Sequence, residues 1–189
     1  MEAVNQETQL YYHAIKDKEQ QEILFNWWKD LENHKGDKAK LKHAQSPEEV
    51  LLQSGFHRLS RQLPQLEKYQ LMALATIAGL LALVKSGENL DHALPTQLGK
   101  TKDHSKTPVF SELRFQKLLA SQDATEFYRS LQRAIMIVSQ QTHPLLLADS
   151  ILHWFKEKEK PDWYSGQKSF HYRWARAYYQ EVLKYEEKK

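Results

Sequence analysis

The segment 27–59 constrains the fold of this chain more than any other stretch, because several helix signals follow one another there without a gap. Its first part belongs to the apolar stripe of an amphipathic helix, with large side chains at i, i+3, i+4 and i+7: Leu24, Trp27, Trp28 and Leu31. We expect this helix to cover about 19–33 and to be ended by Gly36. A second, short and basic helix is predicted over 37–45.

Complete capping signals mark two further helix starts. The run Ser46-Pro47-Glu48-Glu49 offers a serine for the N-cap, a proline for the first helical position and a glutamate that completes a capping box. We expect the helix that begins there to reach Gly55. Asp123 and Glu126 repeat the capping pattern before another apolar stripe.

The whole chain favours helices over strands. Only six glycines and six prolines occur in 189 residues, and no alternating apolar pattern of useful length is present. The most apolar helix is predicted over 67–86, and helical patterning resumes at Ser111. We therefore predict an all-α fold with two small helical bundles joined by a long loop. Its expected parts are an N-terminal extension 1–18, a bundle 19–86, a linker loop 87–110 and a bundle 111–189.

Several classes of function are excluded or disfavoured by what the sequence lacks. There is no cysteine, which excludes disulfides and thiolate metal sites, and no HExxH, phosphate-loop or nucleophile-elbow motif occurs. We predict no catalytic residue, no metal site and no cofactor. The longest uncharged stretch has 16 residues, Tyr69 to Val84, which is short for a membrane span. The polar first residues do not resemble a signal peptide, so we expect a cytoplasmic protein without a membrane partner.

Basic side chains recur opposite the apolar stripes, where the helical period points them to solvent. Lys35, Lys38 and Lys42 follow one another at i, i+3 and i+7. Converging cations of this kind suit phosphate groups, and such binding is salt-sensitive and blind to sequence. The predicted nucleic-acid-binding residues are Lys35, Lys38, Lys40, Lys42, His43, Arg58, Arg61, Arg114, Lys117, Arg129 and Arg133.

Other interpretations of the same residues stay open. The basic faces suit equally the ordinary solvated surface of a helical adaptor that binds only proteins. A third hypothesis is a metal-independent ribonuclease that uses His57 or His43. Among the five tryptophans, Trp163 lies in a helix break and is the one that suits stacking on a base, while the other four lie on apolar stripes.

An ordered set of short motifs resembles the CasB family, the small subunit of the type I-E CRISPR Cascade surveillance complex. The resemblance covers roughly residues 20–182. No single motif is diagnostic, and the order of the set carries the resemblance. Its main members are Trp27-Trp28, Ser46-Pro47-x-Glu49-Val50-Leu51, Phe56-His57-Arg58-Leu59, Arg114-Phe115-x-Lys117-Leu118-Leu119 and Arg173-Trp174-Ala175-x-x-Tyr178-Tyr179.

The resemblance implies a non-enzymatic subunit that works in antiviral defence. It implies other Cascade subunits, guide RNA and target and non-target DNA as partners, with a second copy of the chain in the complex. The basic surface would support guide RNA–target pairing and hold the displaced DNA strand of the R-loop. The motifs carry this role onto Lys38, Lys40, Lys42, His43, Arg58, Arg61, Arg114, Lys117 and Arg133. Residues 1–18 and 100–106 fall outside the matched motifs.

Overall fold

The structure, a computed structural model, describes residues 12–101 and 107–186. In this part of the chain all regular structure is helical, without a β-strand, so the all-α prediction is confirmed. The α-helices are α1 (Lys18–Asp30), α2 (Lys35–His43), α3 (Pro47–Leu51), α4 (Ser54–Ser60), α5 (Pro64–Tyr69), α6 (Leu71–Leu81), α7 (Leu94–Gly99), α8 (Glu112–Leu119), α9 (Ala124–Ile137), α10 (Pro144–Glu159) and α11 (Phe170–Glu186). Two 3₁₀ helices, η1 (Pro161–Tyr164) and η2 (Gly166–Lys168), connect α10 to α11.

Both predicted capping boxes are present. The Ser46 hydroxyl accepts a hydrogen bond from the Glu49 N–H at 3.4 Å, and the Glu49 carboxylate accepts one from the Gln45 N–H at 2.9 Å. The Asp123 carboxylate accepts the N–H of Glu126 at 2.8 Å. Helices α3 and α9 therefore begin where the sequence predicts, because a cap is a local interaction that the sequence states directly.

Two predicted helix ends are wrong. Helix α1 stops at Asp30, and Gly36 lies inside the first turn of α2. Gly55 likewise lies inside α4, where a Cβ atom would stand 2.8 Å from the Leu41 side chain of α2. The reason for this glycine is close packing between helices, since any larger residue would push α4 away from α2. The same glycine also contacts α1, because the Trp27 indole N–H donates to the Gly55 carbonyl at 3.2 Å.

Helix α6 forms the centre of the core. Every residue from Ala73 to Leu81 is buried, and α3, α4, α9 and α10 all pack around it. Four of the five tryptophans are buried, as their apolar stripes predict, at positions 27, 28, 154 and 174. Phe127 stacks on Trp154 at 4.2 Å between ring centroids, which joins α9 to α10. Trp163 in η1 is 77% exposed.

The predicted linker contains a helix of its own. Helix α7 buries Leu94 and Leu98 and packs along α11. Buried apolar residues from α1 to α11 form one contiguous cluster that includes these leucines. The division into domains at 87–110 stays a prediction. Its basic run, 100–106, falls mostly outside the described residues, as do residues 1–11 of the predicted extension.

The described end of the N-terminal extension is tied to α10. The buried Asp149 carboxylate accepts hydrogen bonds from the backbone N–H groups of His13, Ala14 and Ile15, at 2.7 to 3.1 Å. The Lys156 ammonium donates to the Ala14 carbonyl at 3.0 Å. Burial raises the pKa of Asp149, and the backbone donors partly offset that effect.

None of the helices described here has the length and apolar character that crossing a membrane requires.

Candidate nucleic-acid interface

A single groove gathers four of the predicted basic residues. Lys42 reaches it from α2, Arg114 and Lys117 from α8, and Arg133 from α9. The groove has a volume of about 660 Å³, and none of the described residues that line it is acidic. The other lining residues are Leu83, Phe110, Ser130, Gln132, Met136 and Ile137.

Packing of α8 and α9 explains why these cations converge. Helix α8 buries Phe115 and Leu118, which leaves Arg114 and Lys117 on its exposed face. Helix α9 is fastened to the turn after α2, because the Gln132 amide donates to the carbonyl of residue 44 at 2.9 Å. This contact brings the basic face of α9 beside α2, although the two helices are about 90 residues apart in the sequence.

Arg129 and Arg133 follow each other on α9 and have different surroundings. The Arg129 Nε donates to the Gln45 carbonyl at 3.1 Å, so this side chain helps to fasten α9 to the turn between α2 and α3. The Arg133 Nε donates to the Arg129 carbonyl at 3.2 Å, which orients the guanidinium at the groove. Both residues are exposed. Of the two, only Arg133 lines the groove.

The groove cations make no direct salt bridge within the described part of the chain, and Lys42 acts at longer range on an acidic group, Glu32. None of Lys42, Arg114, Lys117 and Arg133 forms an ion pair there. Four positive groups around one concave surface focus a positive potential in it. Guanidinium groups bind phosphate through two parallel hydrogen bonds, and lysine adds a compact point charge. The groove is therefore suited to a polyanion.

The prediction that Lys38 points freely to solvent is wrong. Its side chain is only 13% exposed, and its ammonium pairs with the Glu32 carboxylate. The hydrogen bond from Lys38 lowers the pKa of Glu32, and the charges of Lys35 and Lys42 add to the effect. Glu32 lies in the turn between α1 and α2, six residues before Lys38, so a search for i, i+4 partners does not find it.

Arg58 is also neutralised, contrary to the prediction that it faces solvent without a partner. Its guanidinium pairs with Asp37, whose side chain is 15% exposed. The Ser54 hydroxyl donates to the same carboxylate at 2.6 Å. The pKa of Asp37 is lowered by that bond from Ser54 and by the charge of Arg58. The pair joins α2 to α4, and the nucleic-acid role of Arg58 stays a prediction.

The remaining predicted residues lie apart from the groove. Lys40 and His43 line a separate shallow depression, which also has the acidic Glu49 in its lining. Lys35 and Arg61 are exposed and line neither surface. His57, the other candidate for RNA cleavage, lies on α4 with its ring against Phe56. No group of three or more side chains in the described chain has the arrangement of a metal site.

Sequence reasoning missed the apolar floor of the groove. Leu83 follows α6, Phe110 comes from the predicted linker, and Met136 and Ile137 end α9. Met136 is 55% exposed and lies outside the buried stripe of α9. A usable signal existed, because Met136 follows Arg133 by three residues and therefore shares its helix face.

Comparison with known proteins bears on the whole of this surface. The family model for CRISPR-associated protein Cse2 matches residues 37–179, which is about three quarters of the chain. The match runs from α2 into α11 and includes all four groove cations. No curated protein and no solved structure matched the chain.

Proposed function

The chain belongs to the Cse2 family, also called CasB, the structural small subunits of the type I-E CRISPR Cascade complex, and we propose that its groove binds nucleic-acid backbone there. Family membership implies other Cascade subunits as partners in CRISPR defence. Guide RNA, target and non-target DNA and a second copy of the chain are part of the proposal. So is the absence of catalysis. The predicted cytoplasmic location stays a prediction.

The observation that supports this proposal best is the convergence of Lys42, Arg114, Lys117 and Arg133. They come from α2 and from the consecutive helices α8 and α9, far from α2 in the sequence, and meet in one groove of about 660 Å³. Ordinary solvated cations scatter over a surface and alternate with carboxylates, whereas these four share a concave wall, and none of the described residues that line it is acidic. This arrangement of cations suits the regularly spaced phosphates of a nucleic-acid backbone better than it suits an ordinary solvated surface.

In the complex, such a groove has a defined energetic role. Base pairing between guide and target reads the sequence, and strand exchange in the R-loop is nearly balanced in free energy. Each phosphate that a groove cation neutralises releases counterions, which favours the open R-loop whatever its sequence. We propose that the groove supports guide RNA–target pairing and holds the displaced DNA strand in this way.

The experiment is a charge reversal in reconstituted Cascade. Arg114→Glu with Lys117→Glu should lower R-loop yield. The log–log slope of the R-loop equilibrium constant against salt should also become shallower, by about 0.7 to 0.9 per lost phosphate contact. Lys29→Glu with Lys68→Glu is the matched control, because both lysines are exposed and lie outside the groove. Equal R-loop yields for the two doubly reversed proteins would contradict the proposal.

Lys38→Glu with Lys42→Glu, on the basic stripe of α2, is a less specific charge reversal. Reversing Lys38 would place a second carboxylate beside Glu32, where an ion pair now stands. A loss of R-loop yield would then mix a local folding defect with loss of a phosphate contact. Arg114 and Lys117 are exposed and form no ion pair in the described structure, so their reversal disturbs the fold least.

A second candidate function is favoured by the apolar floor. Leu83, Phe110 and Met136 would suit the apolar side of a partner helix, with the surrounding cations matching its acidic residues. The groove would then serve a purely structural adaptor that does not touch nucleic acid. On this account Arg114→Glu with Lys117→Glu lowers the amount of the subunit that assembles into Cascade. Complexes that do assemble would form R-loops normally.

A further inference from the structure

A second concave surface lies on the N-terminal half of α11, away from the groove. It is a cleft of about 450 Å³ formed by η2, α11 and the described N-terminal end. Its lining shares no residue with the groove, and no acidic residue belongs to it in the described chain. The lining residues are His13, Gln167, Lys168, Tyr172, Arg173, Arg176, Ala177 and Gln180.

The helical period of α11 builds this cleft. The helix buries Phe170, Trp174 and Tyr178 on one side. Tyr172 and Arg176, four residues apart, lie on the other side, and the small Ala177 beside them leaves the depth of the cleft open. The Arg173 Nε donates to the Gln167 carbonyl at 3.1 Å, which ties η2 to the helix and fixes the wall of the cleft.

The cleft carries positive side chains that are accessible to solvent. Lys168 and Arg176 are exposed, and neither forms an ion pair with the described residues. Two acidic residues of α10 near this end of α11 have partners outside the cleft, and one of them, Asp149, accepts the backbone N–H groups of the segment before α1. Glu157 accepts the Phe170 N–H and contacts the His171 ring, and it does not line the cleft.

An aromatic face accompanies these cations. Tyr172 is 43% exposed, although it is a large ring at the start of a well-packed helix. An exposed aromatic ring beside Lys and Arg is the usual platform on which single-stranded nucleic acid stacks its bases. Amide groups from Gln167 and Gln180 add donors and acceptors that suit sugars and base edges without selecting a sequence.

We propose that this cleft is a second nucleic-acid site, which takes an unpaired nucleotide of single-stranded DNA or RNA. Lys168 and Arg176 bind the phosphates, and one base stacks on the Tyr172 ring. A base inside a duplex has both faces covered by its neighbours, so the cleft selects single strands. The inference goes beyond the function proposed for the groove and does not depend on it.

An acidic peptide fits the cleft less well than nucleic acid does. Peptide helices anchor through apolar side chains in an apolar groove, at i, i+3, i+4 and i+7. Among the described residues that line the cleft, the only apolar side chain apart from the Tyr172 ring is that of Ala177. The cleft therefore lacks the apolar pockets that a peptide anchor needs, while it has the cations and the ring that a nucleotide uses.

The test is fluorescence anisotropy of the full chain with a short labelled thymidine oligonucleotide, a uridine oligonucleotide and a DNA duplex, across a salt series. Lys168→Glu with Arg176→Glu should flatten the single-strand salt dependence by about 1.4 in log–log slope, from about 0.7 per phosphate. Tyr172→Ala should weaken single-strand binding about five-fold or more, whereas Tyr172→Phe should keep it. Lys29→Glu with Lys68→Glu is again the matched control.

Each outcome decides the proposal. Unchanged single-strand binding after the Lys168 and Arg176 reversal overturns it, as does an equal loss for Tyr172→Phe and Tyr172→Ala. Equal effects on duplex and single strand also overturn it. If the reversal lowers the melting temperature, the milder Lys168→Gln with Arg176→Gln takes its place. Loss of Cascade assembly with unchanged nucleic-acid binding would assign the cleft to a protein partner instead.

The cleft and the groove can fail separately. Arg114→Glu with Lys117→Glu leaves the cleft intact, so the effect of Tyr172→Ala on single-strand affinity should persist in that background. The two sets of changes should add in free energy, because they share no lining residue. If Tyr172→Ala no longer changes single-strand affinity in the groove variant, the cleft and the groove belong to one binding site and not to two.

Discussion

Replacing Trp28 by alanine tests the account of the core. The Trp28 side chain is 6% exposed and belongs to the apolar cluster around α6. Its indole N–H donates to the Val84 carbonyl at 3.2 Å, which fastens α1 to the segment that follows α6. The ring also lies 5.7 Å from that of Phe25. Truncation therefore removes a large buried surface and one buried hydrogen bond together.

The magnitude follows from these two losses. Truncating a buried tryptophan to alanine costs about 3–5 kcal/mol of unfolding free energy. The hydrogen bond to Val84 accounts for about 1 kcal/mol of that sum. For a chain of this size, 1 kcal/mol shifts the melting temperature by about 2–4 °C, so we expect Trp28→Ala to melt about 6–20 °C lower.

Urea denaturation followed by circular dichroism measures the change directly, and Trp28→Phe is the matched control. Phenylalanine keeps most of the buried ring and loses the indole N–H. We therefore expect Trp28→Phe to lose less than half of the unfolding free energy that Trp28→Ala loses. A free energy of unfolding within about 0.5 kcal/mol of the wild type for Trp28→Ala is the size seen at exposed positions. That result would refute the assignment of α1 to the core.

Three further predictions concern close packing, the N-terminal segment and pH. Gly79→Ala should cost about 1–3 kcal/mol in urea denaturation, because its Cβ would stand 2.8 Å from Tyr128 Cε2. Asp149→Ala should speed limited proteolysis just before α1, since the segment loses its backbone acceptor. Burial lowers the pKa of His143 and of His153, so unfolding free energy should fall as pH drops below about 6.5, by at most about 1.4 kcal/mol per pH unit for each. The raised pKa of Asp149 works in the opposite direction just above the ordinary carboxyl range. A flat stability between neutral and mildly acidic pH would contradict the histidine prediction.

Local interactions could be predicted from the sequence, and distant ones could not. Ser46 and Asp123 cap their helices as expected because the partner of each cap is three residues away. Gly36 lies in the first turn of α2 and not at the end of α1. A glycine in the sequence does not by itself distinguish a helix end from an uncrowded position inside a first turn. The sequence predicts a loop over 87–110, where the structure has α7. This short helix is stabilised by packing on α11, which is distant in the sequence, so local patterns do not predict it.

The candidate site shows the same division. Helical periodicity correctly placed Arg114 and Lys117 on an exposed face of α8. It could not reveal that Lys38 is neutralised by Glu32, because that pair crosses a turn between two helices. Nor could it select the residues that meet in the groove, since their meeting depends on how α9 docks beside α2. Pattern supplies the candidates, and tertiary packing selects among them.

The most direct test of the central claim is photo-crosslinking from the groove floor. Met136 is 55% exposed and lies beside Arg133, so a benzoylphenylalanine introduced there would contact whatever occupies the groove. The crosslink is measured in reconstituted Cascade holding a labelled R-loop, with a benzoylphenylalanine at the exposed Leu52 position as a control outside the groove. We predict a crosslink to nucleic acid from position 136 and not from position 52. A crosslink from position 136 to another protein subunit alone would contradict the account and favour the adaptor.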